Sequence, residues 1–544
     1  MDVILFNGSV YTVDKDRPHA QAVGIKGNKI ALVGSDEEVL AQRTDATKVY
    51  DMEGRSVIPG INDGHVHLLN HGIIQDNIIL QGCKNREEVI RRSKDYIAER
   101  NIPHGDWVVG RGWDQNLFPE KVMLTRHDLD EISTDHPVVL TRVCGCMCVA
   151  NTAALRAMNV FDETPHIEGG EIELAEDGKP SGRMLGNAEE FTYSHFPKPT
   201  KDQLKEYILR SMDLYVKSGI TSAQVCDLGL AKVNFKDTIA AYFELDKEGR
   251  LPIRANMMLF LHTKEQLEDF LSLGYKTGDG SDFCKIGPFK LQPDNSLGSR
   301  TAYLSEPYAD DPSTVGVLNN SPEEFYELIE LAYTNGLQIV ADAIGDGTLD
   351  MVLEAYKKLM DNYPKEDPRF CIDHCQITTE AILDKFKEYG VIGGLEIVFL
   401  TSDLHIAEER VGKERLKWSY NWKGFFDRDI PVAIGSDSPV EPYNPMYGIY
   451  AAVVRKDFSG YPEGGWMPEQ RLTLAQAIEG YTTGPAYCTY EEDIKGTITP
   501  GKLADITVLS ENIFDIEPDA LMHVTADMTI VDGKILHATA PMQD

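Results

Sequence analysis

From about residue 200 onward the chain alternates short, continuously apolar runs with longer stretches whose apolar residues recur every three or four positions. The first kind reads as buried strand and the second as amphipathic helix. GITSAQVCD (219–227), IRANMMLFL (253–261), FCKIGPFKLQPD (283–294), LQIVADAIGD (337–346), FCIDHCQI (370–377), IGGLEIVFL (392–400) and IPVAIGSDSPV (430–440) are the predicted strands. Segments such as SPEEFYELIELAYTNG and TEAILDKFKEYG are the predicted helices, each with glycine just past its end. With VIPGINDGHVHLL (57–69) placed first, the strands number eight. Strand alternating with helix in this way predicts an α/β fold, a (β/α)8 barrel with functional residues at the C-terminal strand ends.

The two ends of the chain have a different texture, with short alternating strands and tight turns. Gly27-Asn28 and Glu53-Gly54 stand where hairpin turns are expected. Similar patterning returns only in GTITPGKLADITVLS and MTIVDGKILHA, and neither end alone is large enough for a stable sheet. The expected organisation is a small β-sandwich domain from 1–56 plus 491–544 around a barrel at 57–490. Residues 75–200 break the strand–helix rhythm and are expected to form an inserted α/β cap over the barrel mouth.

The chain has 544 residues, with 53 Lys+Arg against 87 Asp+Glu and a formal charge of −34. That charge, without a basic tract, argues against a nucleic-acid partner. No apolar run is long enough to span a membrane, and the first residues lack the pattern of a secretory signal. Nine cysteines, an odd count, fit reduced thiols in a cytoplasm. Cys144, Cys146 and Cys148 would share one face of a strand; they read as small buried side chains or pocket wall, because zinc sites favour CxxC spacing.

The sharpest chemical signal is His65-Val66-His67 at the end of the first predicted strand. Alternation turns both imidazoles to one face, where two nitrogens can converge on one ion. Asp437 follows the last predicted strand and could bind a metal or accept a proton from water; its other reading is a turn aspartate. His374 lies in an apolar strand, where a lone histidine is more often a core residue. Three strand ends each offering a ligand favour a metal site.

The ordered segments PGINDGHVH, FKLQPDNSLGSRTAYL, ADAIGDG, IDHCQI, VAIGSDSPV and GKLADITVL, together with GWDQN, VANTAAL and EPYADDP, resemble the amidohydrolase superfamily. Within it the chain is similar to the YtcJ-like branch, the amidohydrolase-3 family that includes N-substituted formamide deformylase. The resemblance implies a distorted (β/α)8 TIM barrel with a β-sandwich. It also implies hydrolysis of a non-peptide C–N bond in a small-molecule amide, formamide or cyclic amide.

The cofactor so implied is one or two divalent ions, zinc first, with manganese or iron as other candidates. His65, His67, Lys290, His374 and Asp437 match the family's ligands, with Asp437 as general base and His374 as a second catalytic residue. Lys290 matches a lysine that can be carbamylated to bridge two metals; the alternative is an unmodified lysine paired with a carboxylate such as Asp294. Asp342 stands where the family has a histidine ligand, so either Asp342 ligates in its place or one ion remains. Cys146 and Glu396 replace usual residues near the pocket and are expected, with Arg300, to meet the substrate; for Arg300 a structural salt bridge is the alternative.

A homodimer is the expected oligomer, since C2 dimers are the commonest, although no residue pattern fixes it. Two other functions stay open. One is a non-hydrolytic reaction (isomerisation, elimination or decarboxylation) at an altered metal site. The other is a non-catalytic binding protein.

Overall fold

The computed structural model describes residues 1–143, 147–167, 169–229 and 233–539. It contains eight parallel strands in one sheet, joined in sequence order: β1 (Ile61–Val66), β2 (Ile220–Leu228), β3 (Arg254–Phe260), β4 (Cys284–Leu291), β5 (Ile339–Ala343), β6 (Cys371–His374), β7 (Ile392–Leu395) and β8 (Val432–Ile434). Every residue of β2, β3 and β5 is buried, which is why these strands read as unbroken apolar runs. Helices pack between them and obey their end signals. Ser321 and Glu324 form a capping box before helix Pro322–Thr334, and Gly390 ends helix Glu380–Tyr389 in the left-handed region.

The sheet curls until its ends nearly meet. The backbone of Asp437 donates to the His65 carbonyl at 2.8 Å, and that of His67 donates to Ser438 at the same distance. Two glycines permit this approach. A Cβ on Gly64 would sit 2.8 Å from the Ile434 carbonyl, and one on Gly435 would sit 2.5 Å from the His65 nitrogen. Asp63 fastens the same seam, its carboxylate accepting bonds from the Ser436 amide (2.9 Å) and hydroxyl (2.6 Å).

The chain divides into two compact units, Met1–Asn70 with Leu204–Leu230 and Phe235–Asp544, and His71–Gln203 with Ala231–Asn234. The first holds the barrel sheet and two further sheets. In the four-stranded one the order is Lys29–Gly34, Ala22–Lys26, Val3–Phe6, Lys48–Asp51; in the six-stranded one it is Lys534–Ala538, Ala526–Val531, Ile506–Leu509, Ser56–Pro59, Ser9–Tyr11, His19–Ala20. They share one apolar cluster, in which Leu5, Val23 and Ile25 meet Val57, Val508 and Ile530. Gly27-Asn28 makes the expected hairpin, but Glu53-Gly54 does not: it carries the chain from the four-stranded sheet into the six-stranded one.

At the N-terminal ends of the barrel strands lies a polar cluster in which Arg254, Glu491, Lys495 and Asp505 are buried and Lys285 and Asp532 half-buried. Arg254 pairs with Asp505 (2.7 and 3.1 Å) and Asp532 (3.3 Å), while Glu491 takes both Lys285 (2.8 Å) and Lys495 (2.7 Å).

The second unit is built on a six-stranded sheet of mixed direction, in which Val138–Arg142 pairs parallel with Val108–Trp113 and antiparallel with Met147–Ala150. Trp113 is fully buried there and donates to the Leu140 carbonyl at 3.0 Å. Cys144 and Cys146 lie outside the described residues. Among those described, no helix is long and apolar enough to cross a membrane.

Candidate metal centre

At the C-terminal ends of the barrel strands the side chains of His65, His67, Lys290, Asp342, Asp373, His374, Glu396 and Asp437 come together, and all but the half-buried His67 are buried. Six of the eight were expected there as metal ligands. Glu396, expected at the substrate, faces the histidines instead: one oxygen lies 3.1 Å from His65 Nδ1, and the other accepts the His374 backbone N–H at 2.7 Å. Arg300 is not drawn in. Its guanidinium pairs with Asp310 (3.2 and 2.6 Å), which also receives Arg410, in keeping with the salt-bridge alternative.

Local backbone geometry explains the density of donors. His374 has φ of 73° and Asp437 has φ of 56°, both in the left-handed region rarely used by residues other than glycine. In a regular strand Asp373 and His374 would point to opposite faces. The left-handed turn at His374 lets both serve one centre, so pattern reading selects His374 and passes over Asp373. Cys226 was also missed; it offers its thiol beside His65 and His67, and its carbonyl lies 2.9 Å from His67 Nδ1.

The hydrogen bonding orients the rings. His67 Nδ1 donates to the Cys226 carbonyl, which turns Nε2 toward Asp437 Oδ1 at 3.2 Å. His65 Nε2 lies 3.6 Å from the same oxygen and 2.6 Å from Lys290 Nζ. Lys290 is fully buried, and its Nζ approaches Asp342 Oδ1 (2.9 Å) and Asp373 Oδ2 (3.1 Å) without the alignment of full hydrogen bonds. Asp294, the partner considered from sequence, instead accepts backbone N–H bonds from Tyr303, Ile344 and Gly345.

Charge governs titration here. Burial opposes ionisation of Asp437, yet the His65 and His67 imidazoles beside it hold its carboxyl well below the usual range. Burial pulls His67 down, but Cys226 and Asp437 outweigh it and push the imidazole up to about 10. Burial would raise the Cys226 thiol; Lys290 and His67 bring it down to about 7.

The donor chemistry suits a divalent cation. Imidazole nitrogens and carboxylate oxygens are ordinary ligands of zinc and of harder ions. Asp437 Oδ1 and His374 Nδ1 are buried without a hydrogen bond, the condition of atoms shaped for a partner outside the chain. Among the described residues three donor groups are compact enough to hold an ion: His65 with His67 and Cys226, with His374 and Glu396, and with Asp342 and Asp373.

The sequence model of the amidohydrolase family matches residues 48–537. The chain belongs to the amidohydrolase family. This amidohydrolase is 30% identical over 541 residues to YtcJ of Bacillus subtilis, covering 99% of each chain. It is 26% identical to the N-substituted formamide deformylase of Arthrobacter pascens, over 98% of this chain and 97% of that one. Among solved structures, a metal-dependent hydrolase from Pyrococcus furiosus superimposes with a TM-score of 0.78 at 28% identity, over 95% of this chain and 99% of that one.

Proposed function

We propose that this amidohydrolase is a metal-dependent hydrolase that cleaves a non-peptide C–N bond in a small molecule, with Asp437 as general base. The observation that carries the reading is the buried Asp437 Oδ1, free of hydrogen bonds, between His67 Nε2 at 3.2 Å and His65 Nε2 at 3.6 Å. Those three atoms, supported by His374, would hold a divalent ion of the zinc type. When bound, such an ion polarises the substrate carbonyl and lowers the pKa of an attacking water.

The chain's own residues supply the rest. Asp437, ionised throughout the physiological range, accepts the water's proton and returns it to the leaving amine. The Cys226 carbonyl keeps His67 Nε2 turned toward Asp437. The Asp63–Ser436 clasp holds both ligand strands in register, which keeps the base and the histidines at fixed separation. Similarity to a formamide deformylase supports N-substituted formamides as the first substrates to test, with cyclic amides next.

The test is Asp437→Asn in the zinc-loaded enzyme, assayed on a panel of formamides and cyclic amides. Loss of turnover, with the melting curve of the metal-free chain unchanged, is the expected result; full turnover would sink the assignment. A second reading, proton transfer without hydrolysis, draws on the excess of carboxylates around Lys290. Incorporation of oxygen from labelled water into product separates the two, since only hydrolysis requires it.

A further inference from the structure

We propose that Glu441 is a specificity residue of this site and that the preferred amide carries a positively charged group, an ammonium or amidinium, away from its scissile bond. The inference rests on the hydrolase reading above and names the substrate class that site would take.

Loops from three neighbouring strand ends build a polar shelf beside the centre. After β6, Gln376 Nε2 donates to Asp403 Oδ2 at 2.9 Å, and the Tyr420 hydroxyl donates to the same oxygen at 2.6 Å. After β7, the Phe399 ring stands 5.6 Å from that of His374, and three residues later the Ser402 hydroxyl donates to Glu441 Oε1 at 2.6 Å. Glu441 itself follows β8, four residues beyond Asp437. The Val440 amide folds that segment back on the Asp437 carbonyl at 2.9 Å, so the base and Glu441 are closer than the roughly 13 Å of an extended segment.

Asp403 is held by two donors, whereas Glu441 has one. Glu441 is half-buried, its Oε2 accepts no hydrogen bond among the described residues, and no lysine, arginine or histidine among them pairs with it. Burial pushes its carboxyl up to about 7 against the Ser402 hydroxyl, and the negative charges of Asp403 and Asp437 push the same way. A divalent ion at the centre offsets Asp437. It leaves Asp403 and Glu441 as the charges met by a substrate group lying over β7 and β8. The arginines of the surrounding loops are committed elsewhere: Arg300 and Arg410 to Asp310, and the fully buried Arg455 to the Tyr420 and Trp466 carbonyls. Asp437 Oδ1, buried and without a hydrogen bond, marks where the reacting end of the substrate lies. Glu441 marks the other end. An ammonium there would give its open oxygen a charge-assisted hydrogen bond; a carboxylate would be repelled.

The experiment uses the full chain loaded with zinc and a series of N-alkylformamides ending in ammonium, hydroxyl or carboxylate. The ammonium members are expected to exceed the hydroxyl members by about tenfold or more in kcat/KM, mainly through KM, with the carboxylate members poorest. Glu441→Gln should bring that ratio close to one, and Glu441→Lys should turn it in favour of the carboxylate members. No preference in the parent, or a preference that survives Glu441→Gln, overturns the inference and leaves the hydrolase reading standing. Should no member be hydrolysed, the hydrolase reading falls, and calorimetry of the ammonium member on the metal-free chain decides the inference alone. Binding about tenfold weaker in Glu441→Gln than in the parent sustains it; equal binding overturns it. Should the charge reversal fail to fold, the isosteric Glu441→Gln still decides.

Discussion

The two ends of the barrel bury charge in opposite ways. At the N-terminal end Arg254, Lys285 and Lys495 face Glu491, Asp505 and Asp532, three cations against three anions, with every pair within 3.3 Å. At the C-terminal end the four carboxylates of Asp342, Asp373, Glu396 and Asp437 crowd around Lys290 and three histidines, and Asp437 Oδ1 is left without a hydrogen bond. Both clusters are costly to desolvate. The balanced one is complete as it stands, and its role is to fasten the barrel to the C-terminal segment. The acidic one gains by taking up positive charge. Burial of ionic groups is thus a poor guide to function; imbalance among them is a better one.

The sharpest way to break this contrast is to neutralise Asp437. Asp437→Asn is expected to cost roughly 10²–10⁴ in turnover and to change the thermal stability of the metal-free chain little, as read by steady-state assay beside calorimetry. The mirror experiment is Glu491→Gln at the other end. It leaves the buried Lys495 and the half-buried Lys285 short of a counterion, so unfolding free energy should fall by roughly 3–5 kcal/mol, measured by urea titration, with zinc affinity unchanged.

Acid sharpens the same point. Burial would raise the Glu491 carboxyl, but Lys495 and Lys285 hold it at about 2, below its ordinary 4.5. Because the folded value is the lower one, this stabilisation is complete above about pH 4.5 and is lost as pH falls toward 2. The urea midpoint of the parent should therefore drop more between pH 5 and 3 than that of Glu491→Gln. Equal slopes would mean the pairing is ineffective.

Zinc should act only at the acidic end. At a hundredfold excess over its dissociation constant it is expected to add about 2.7 kcal/mol of stability, and His67→Ala should abolish that gain. The smallest effect belongs to Arg300→Ala. Its partner Asp310 is also held by Arg410, so zinc content and melting temperature should stay close to the parent's. A large rise in KM with stability unchanged would instead return Arg300 to the substrate.

Sequence patterning makes the barrel legible because strands covered on both faces leave continuous apolar runs. It overshoots at their C-terminal ends: IPVAIGSDSPV contains a strand of only Val432–Ile434, the rest being the turn that carries Asp437. It also reads VIPGINDGHVHLL as one strand. The chain instead breaks at Gly60, where a Cβ would strike Thr221, so that Ser56–Pro59 joins the six-stranded sheet and Ile61–Val66 the barrel. At the site, His65, His67, His374 and Asp437 are visible as strand-end ligands. Asp373 is hidden by a backbone conformation that no periodicity encodes. The facing of Glu396 toward the histidines depends on strands far apart in sequence, which local pattern cannot relate.

The pairing of Val57 with Val508 in the six-stranded sheet has a consequence for synthesis. At roughly 5–20 residues per second, the strand bearing Val57 leaves the ribosome on the order of 20–90 s before its neighbour exists. Through that interval its edge is open, and a nascent chain held there would be a natural client for a chaperone. Slowing translation after Pro59 should lengthen the exposure, and appending residues beyond the last strand should not.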